Sequence, residues 1–267
     1  ALSPFCAQRP GHAVEGALVR NVWPGLCAQN GLRATDWSEM GISGTPGSVA
    51  DVFVSVLGAK ADAAMLVAGL GRDWAMREGY HKIHACCQYG HSTVEAVLAA
   101  LAGEGTLGPD RITAVRVEVH DKGQALDNAE PATTLAAKFS IQHIAAATAV
   151  FGHAGAAAFA AGTLADEGMA RLRQRVAIAP FTPRMDWPND RPARVTLTLN
   201  DGRVLLGECR SARGGPDRPF ATEEIISKSE DILGAVYPRA VAPLVAATRL
   251  EDTTLARSWR AIVADFA

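Results

Sequence analysis

The chain lacks the features that mark several large classes of protein. Its formal net charge is only −2 over 267 residues, so it has no basic excess that would attract nucleic acid or an anionic membrane surface. It has no run of eighteen apolar residues, which a transmembrane helix would need. Residues 1–7 lack the basic start of a signal peptide, and Pro4 interrupts their short apolar stretch. These absences predict a protein that binds neither nucleic acid nor membrane.

Several chemical motifs are missing as well. The five cysteines are an odd number without the spacing of a disulfide framework, which indicates a reducing, cytoplasmic location. Gly152-His-Ala-Gly155 lacks the third glycine of a dinucleotide fingerprint, and Gly44-Thr-Pro-Gly-Ser48 lacks the lysine of a P-loop. Neither a G-x-S-x-G elbow nor an H-E-x-x-H motif occurs. The sequence therefore argues against nicotinamide, nucleotide and serine-hydrolase chemistry.

Polar chemistry is concentrated in one short stretch. Residues 81–91 hold three of the seven histidines, one of the five lysines and two cysteines. Such a cluster in a chain otherwise poor in these residues predicts a functional site. The ammonium of Lys82 would suit a substrate carboxylate, and the imidazole of His91 could exchange protons near neutral pH.

Two other interpretations of the same cluster exist. His84, Cys86, Cys87 and His91 are all residue types that bind zinc. Their spacing does not match paired C-x2-4-C and H-x3-5-H elements, and no second Cys/His cluster could complete a site, so we expect no metal. In a purely structural alternative, the cysteines are small buried hydrophobes and the histidines are satisfied by hydrogen bonds.

The pattern Lys82-x4-Cys87-x3-His91, followed by a helix that carries Glu95, resembles the signature of the MmgE/PrpD family. This family includes 2-methylcitrate dehydratase, cis-aconitate decarboxylase and iminodisuccinate epimerase. Other segments resemble the family in the same order and at similar separations along nearly the whole chain. They are residues 18–32, Gly41-Ile-Ser-Gly-Thr-Pro-Gly47, Ala137-Lys-Phe-Ser-Ile-Gln-His143, residues 195–203 and Arg213-Gly-Gly-Pro-Asp-Arg-Pro219.

The resemblance implies a cofactor-independent lyase or isomerase that removes a proton next to a carboxylate of a small di- or tricarboxylate, as a dehydratase does. It implies catalytic roles for Lys82, His91 and His143, the last of which stands where many members carry Tyr and could instead be a buried helix residue. His84 and Cys87 are expected to contact substrate, with a packed thiol as the alternative for Cys87. His84 and Ala85 stand where the dehydratases more often carry Tyr-Pro, and His84-Ala-Cys-Cys87 is more similar to the epimerase branch. An iminodisuccinate-type epimerase is therefore the alternative reaction.

The resemblance also implies an α+β fold in which a helical domain is interrupted by a smaller α+β lid. Residues 1–79 would belong to the helical domain, residues 80–221 to the lid, and residues 222–267 to helices that return to the first domain. The cleft between the domains would hold the active site. The chain would match the C-terminal three-fifths of a longer homodimeric protein, whose preceding region supplies further acidic and histidine groups. A catalytically silent, dimerising member or an inactive fragment is the alternative of another class.

The hydrophobic pattern predicts the individual elements. Helices are expected at residues 14–30 with a break or kink at Pro24 and an end near Gly31, and at residues 49–57, 61–70, 91–101, 138–151 and 250–264. A further helix is expected from Thr222 onward, with Thr222 as its N-cap. Strands are expected at residues 112–120, 176–179, 193–199 and 204–209. Asn200-Asp-Gly202 lies between the last two strands, which predicts a hairpin.

Overall fold

The computed structural model describes residues 10–60 and 62–265, so the predictions for residues 1–7, Cys6 and Ala61 lie outside it. Up to Glu78 the described chain is helical. Its elements are α1 (Pro10–Val14), α2 (Val19–Glu39), α3 (Ser48–Ala50), a π-helix (Asp51–Val56), α4 (Ala63–Val67) and a 3-10 helix (Ala75–Glu78). Many large apolar side chains here are exposed, among them Leu32, Trp37, Phe53 and Trp74. This part therefore adds little to the hydrophobic core.

A mixed sheet forms the centre of the described chain. Its strands are β1 (Ile112–Val119), β2 (Val176–Pro180), β3 (Ala193–Leu199) and β4 (Val204–Cys209), in the order β2-β1-β3-β4. Strand β1 pairs parallel with β2 and antiparallel with β3, and β3 pairs antiparallel with β4. Since parallel strands cannot be joined by a tight turn, helices fill the connection from β1 to β2.

Six further α-helices of the described chain lie just before β1 or between β1 and β2. They are α5 (His91–Ala100), α6 (Asp121–Gln124), α7 (Thr134–Ala137), α8 (Ile141–Phe151), α9 (Ala161–Ala165) and α10 (Glu167–Gln174). Helix α5 packs on β3 and β4, and α8 packs on α5 and β2. Alternate residues of β3 are buried against them, as expected of a strand with one face in the core. Gly207 in β4 allows the close approach of α5, because a Cβ there would overlap the Ala96 carbonyl oxygen.

Helices return after the sheet: α11 (Thr222–Gly234), α12 (Pro238–Thr248), α13 (Asp252–Leu255) and α14 (Trp259–Ala264). Among the helices that the structure describes, none combines the length and the apolar character needed to cross a membrane. Helices beside one small mixed sheet confirm the α+β class. The division into a helical domain and a lid at residues 79/80 and 221/222 stays a prediction.

The four predicted strands, the hairpin and the helix at residues 91–101 are confirmed within one or two residues. The helix predicted for residues 14–30 begins later, at Val19, and continues to Glu39. Pro24 lies inside it without ending it, and Gly31 is not in a left-handed conformation. The glycine that does adopt one is Gly41, with φ 80° directly after the C-cap, which is a common way for a helix to end.

Serine side chains explain two other wrong predictions. The hydroxyl of Ser140 accepts the N–H of His143 at 2.9 Å, so α8 begins at Ile141, and the helix predicted over residues 138–151 starts later than expected. Ser258 caps α14 in the same way by accepting the N–H of Ala261. The predicted helix over residues 250–264 is therefore two short helices.

Smaller differences concern three further helices. The segment predicted as a helix over residues 49–57 is mostly a π-helix, and that predicted over residues 61–70 is helical only at Ala63–Val67. Thr222 is the first residue of α11 and not its cap. The cap is Ala221, whose N–H is accepted by the Glu224 carboxylate at 2.9 Å.

Candidate functional site

The histidine-rich segment before α5 is irregular and is held by backbone hydrogen bonds to distant parts of the chain. The N–H groups of three of its residues donate to carbonyl oxygens far away in sequence: His81 to Gly214 at 2.9 Å, Ala85 to Ala154 at 2.7 Å, and Cys87 to Lys138 at 2.8 Å. Tertiary contacts therefore fix the course of this segment, which no local periodicity would determine.

An open cleft of about 1250 Å³ runs between this segment and α11. One wall carries Lys82, His84 and Lys138, and α11 contributes Lys228 to the opposite wall. Its apolar lining includes Leu135, Phe139 and Ile232, and Cys86 also lines it. Three of the five lysines of the chain thus surround one cleft, and an ammonium in such a place is suited to bind an anion.

Acidic groups on α11 lie in the same cleft. The carboxylate of Glu224 is paired with Arg213, whose Nη2 donates to both of its oxygens at 2.9 and 2.7 Å. This pairing lowers the pKa of Glu224. Glu223 and Asp231 also line the cleft and are exposed. The wall that carries Lys82, His84 and Lys138 has no acid among the described residues that line it, so an anionic ligand would sit against this wall.

Lys228 connects the two walls. Its ammonium donates a hydrogen bond to the backbone carbonyl of Lys82. Burial lowers the pKa of Lys228, and the positive charge of Lys82 lowers it further. An anion bound between the two ammonium groups would relieve this repulsion.

His84 is half-buried and lines the cleft. Burial lowers the pKa of its imidazole, and the Glu95 carboxylate acts in the opposite direction. Its ring packs edge-to-face on the ring of His91, with the centroids 5.0 Å apart. A lowered pKa keeps the imidazole neutral at physiological pH, which is the form that can accept a proton.

His91 lies behind His84 as the first residue of α5 and is 1% exposed. Burial lowers the pKa of His91 to about 3, assisted by the charges of His84 and Lys82 and opposed by the nearby backbone carbonyls of Cys86 and His84. Its Nδ1 lies 3.4 Å from the Tyr80 hydroxyl oxygen. Its Nε2 has no hydrogen-bond partner among the described residues.

A polar network supports Tyr80 from the loop after β4. The Tyr80 hydroxyl donates to the Arg213 carbonyl at 2.8 Å, and the Arg213 N–H donates to the Glu95 carboxylate at 2.6 Å. Arg218 also pairs with Glu95, at 3.4 Å. Burial, and next the Glu95 charge, raise the pKa of Tyr80, so its hydroxyl keeps its proton. The Arg-Gly-Gly-Pro loop and Glu95 of α5 thus hold the Tyr80 hydroxyl in place.

His143 does not line the cleft. It is fully buried in α8, its Nε2 donates to the Ala158 carbonyl at 3.0 Å, and its Nδ1 faces the Arg173 guanidinium at 3.5 Å. Burial lowers the pKa of His143 to about 4, with the Arg173 charge as a smaller cause. Both ring nitrogens therefore have partners within the protein interior. Arg173 in turn donates to backbone carbonyls, so the pair helps to connect α8, α9 and α10.

Cys87 lies in the hydrophobic core and is 8% exposed. Its neighbour Cys86 lines the cleft instead, and burial raises the pKa of the Cys86 thiol. No disulfide joins the cysteines that the structure describes. Within residues 10–60 and 62–265, no group of three or more His, Cys, Asp or Glu side chains is placed to hold a metal ion.

A second, smaller cavity of about 140 Å³ is lined in part by Tyr80. Its lining contains Arg191, which is already paired with Asp190 at 3.4 Å. No lysine or histidine belongs to the described residues that line this cavity. The lysine-lined cleft is therefore the better candidate for an anion.

Lys82 and His84 line the cleft and His91 lies behind His84, whereas His143 and the Cys87 side chain lie in the core. The sequence predicted no functional role for Lys228, Tyr80 or Lys138, although Lys138 is part of the Lys-Phe-Ser segment. The signal that could have found the two lysines is their scarcity, because a chain with five lysines has few to place on an ordinary solvated surface.

Most of the chain matches a known protein family. A family model described as the MmgE/PrpD C-terminal domain matches residues 84–252. The matched range includes His84, His91, Lys138 and Lys228, while Lys82 lies two residues before it. No curated protein matches the chain.

Proposed function

The chain belongs to the MmgE/PrpD family, and we propose that it acts as a cofactor-independent lyase or isomerase. Such an enzyme removes a proton next to a carboxylate of a small di- or tricarboxylate. The observation that carries this proposal is the gathering of Lys82, Lys138 and Lys228 around a cleft that also presents the neutral imidazole of His84. Family membership suggests dehydratase- or isomerase-type chemistry. The identity of the acid and the choice of reaction belong to the proposal.

The lysines bind the substrate carboxylates in this proposal. Lys82 and Lys138 lie on the wall without acids, and Lys228 faces them from α11. A unit charge about 4 Å from an ammonium near a protein surface is stabilised by about 4 kcal/mol at an effective dielectric constant of 20. The same groups stabilise the negative charge that develops on the carboxylate when the neighbouring C–H loses its proton.

A histidine accepts the substrate proton in this proposal. Among the described residues that line the cleft, His84 is the one histidine, so it is the group placed to accept the substrate proton. His91 lies against it as a neutral imidazole, and the role we propose for His91 is to support the His84 ring. Loss of water then requires that an acid protonate the leaving hydroxyl, and an epimerase requires that an acid protonate the opposite face. The ammonium of Lys228, with its lowered pKa, is the acid we assign.

The other two predicted residues receive structural roles. His143 has both ring nitrogens engaged inside the core, and Cys87 supports the segment through its backbone. The predicted homodimer and the cytoplasmic location stay predictions, and analytical ultracentrifugation of the full-length protein measures the first.

Binding of polycarboxylates to the full-length protein tests the proposal. Isothermal titration calorimetry with citrate, 2-methylcitrate, cis-aconitate and iminodisuccinate is expected to detect at least one ligand. Lys82→Ala and Lys228→Met should each weaken the binding of that ligand tenfold or more, since a lost charge-assisted contact is worth about 1.5–3 kcal/mol. Lys60→Ala is the matched control, because Lys60 is exposed and does not line the cleft.

The outcomes separate the alternatives. Equal affinities for Lys82→Ala, Lys228→Met and Lys60→Ala would remove the lysine cleft as the binding site. Binding without turnover would favour a silent member of the family. No binding of any of these acids to the full-length protein would contradict the proposed substrate class.

A further inference from the structure

Tyr80 has one hydroxyl proton and two polar neighbours. The hydroxyl oxygen lies 2.8 Å from the Arg213 carbonyl oxygen and 3.4 Å from Nδ1 of His91. A carbonyl can only accept a hydrogen bond, so the Tyr80 proton belongs to the contact with Arg213. The hydroxyl oxygen is then left as an acceptor toward His91. A favourable contact at that side requires a proton on Nδ1.

The Arg213 carbonyl is held in place independently of Tyr80. The N–H of Arg213 donates to Glu95 at 2.6 Å, and the next residue, Gly214, accepts the N–H of His81 at 2.9 Å. Gly214 has φ 114° and lies against the backbone of His81. The direction of the Tyr80 hydroxyl is therefore set by the loop after β4, and the imidazole of His91 must adapt to it.

A neutral imidazole carries a proton on one ring nitrogen only. His91 is 1% exposed and is kept neutral by its burial. With the proton on Nδ1, the lone pair is on Nε2, which makes no hydrogen bond to any described residue, including the nearby backbone carbonyls of Cys86 and His84. A buried, unpartnered acceptor beside a cleft-lining histidine is unusual, since the great majority of buried polar atoms are paired.

We propose that Tyr80 is a positioning residue that fixes the neutral His91 in the Nδ1–H tautomer and so holds its ring against the ring of His84. The catalytic consequence of this arrangement rests on the proposed function. His84 takes the substrate proton on a ring nitrogen, and the neutral ring of His91 behind it keeps the His84 ring in the orientation that this transfer needs. One proton has then moved from the substrate carbon to His84, and no other reactant is needed.

Nuclear magnetic resonance of the full-length protein labelled with 15N-histidine tests this proposal without a substrate. Protonated and bare imidazole nitrogens have well-separated 15N shifts, and His91→Gln identifies the His91 signals by their loss. The wild type is expected to show Nδ1 protonated and Nε2 bare. Tyr80→Phe keeps the ring and removes the hydroxyl, so it should shift the population toward the other tautomer.

Tyr89→Phe is the matched control, because the Tyr89 ring packs on His120 and not on His91. It should leave the His91 signals unchanged. A wild type with the proton on Nε2 would overturn the proposal, and this result does not depend on whether Tyr80→Phe folds. Unchanged His91 signals in a folded Tyr80→Phe would overturn it as well.

Activity separates this proposal from the proposed function. If the protein turns over a carboxylic acid, Tyr80→Phe should lower kcat about tenfold or more with little change in KM, because the substrate contacts are untouched. A tenfold rise in KM with an unchanged kcat would contradict a positioning role. A confirmed tautomer in a protein that turns over none of these acids would leave the positioning of His91 established and the proposed function refuted.

Discussion

Gly214 offers a sharp test of how the loop after β4 supports the candidate site. Its φ is 114°, a backbone conformation that residues with a side chain rarely adopt. A Cβ at this position would overlap the His81 carbonyl oxygen and lie 2.9 Å from Cε2 of Phe220. Gly214→Ala therefore forces the loop away from the segment that carries Lys82.

The expected loss of stability has two parts. A strained backbone conformation costs of the order of 1–3 kcal/mol, and overpacking a filled site typically costs another 1–3 kcal/mol. We expect Gly214→Ala to lower the free energy of unfolding by about 2–6 kcal/mol. Gly105→Ala is the matched control, because Gly105 has φ 73° with open space around it, and it should lose only about 1–2 kcal/mol.

Urea denaturation followed by circular dichroism measures both variants against the wild type. The Gly214 variant should have the lower midpoint, and its affinity for the carboxylate found by calorimetry should fall as well. Equal losses of stability in the two variants would show that the close approach of Gly214 to His81 does not contribute to the free energy of unfolding. The supporting role of this loop would then be wrong.

Two further predictions concern buried groups. Arg173 donates to the carbonyls of Ala129 and Leu164 at 3.1 and 3.3 Å, so Arg173→Met should lower the free energy of unfolding by roughly 3 kcal/mol, because these carbonyls lose their partner. The exposed control Arg171→Met should lower it by less than about 1 kcal/mol. Similar losses for the two variants in urea denaturation would contradict the role of Arg173 as a buried donor. The pKa of His91 is about 3 in the fold and about 6.5 when unfolded, so the unfolded state binds its proton first as pH falls. The free energy of unfolding should therefore drop as the pH falls from 6.5 to 3. His91→Gln should reduce this pH dependence by up to about 1.4 kcal/mol per pH unit. If His91→Gln had the same slope as the wild type over pH 5–7, the buried neutral state of His91 would be refuted.

The strands were predictable because alternation of apolar and polar residues follows directly from a sheet with one buried face. β3 shows this most clearly, with Ala193, Val195, Leu197 and Leu199 in the core. Helix ends were less predictable. Pro24 and Gly31 are helix breakers by propensity, yet α2 continues past both, and the left-handed conformation that ends it occurs at Gly41.

The candidate site was only partly predictable for a different reason. Lys82, His84 and His91 are neighbours in sequence, so their clustering was visible in the chain. Lys228 reaches Lys82 across 146 residues and Tyr80 reaches Arg213 across 133, and no local pattern reports such contacts. His143 is the opposite case. Its motif predicted a catalytic residue, but in the fold both of its ring nitrogens contact partners in the core.

Proton abstraction next to a carboxylate is the central claim, and exchange with solvent measures it directly. The full-length protein would be incubated in D2O with each candidate acid, and 1H NMR would follow the C–H signal next to the carboxylate. The account predicts that at least one acid loses this signal, by exchange or by conversion to product, and that His84→Gln slows the loss at least tenfold. No loss with any acid, or an equal rate in His84→Gln, would contradict it.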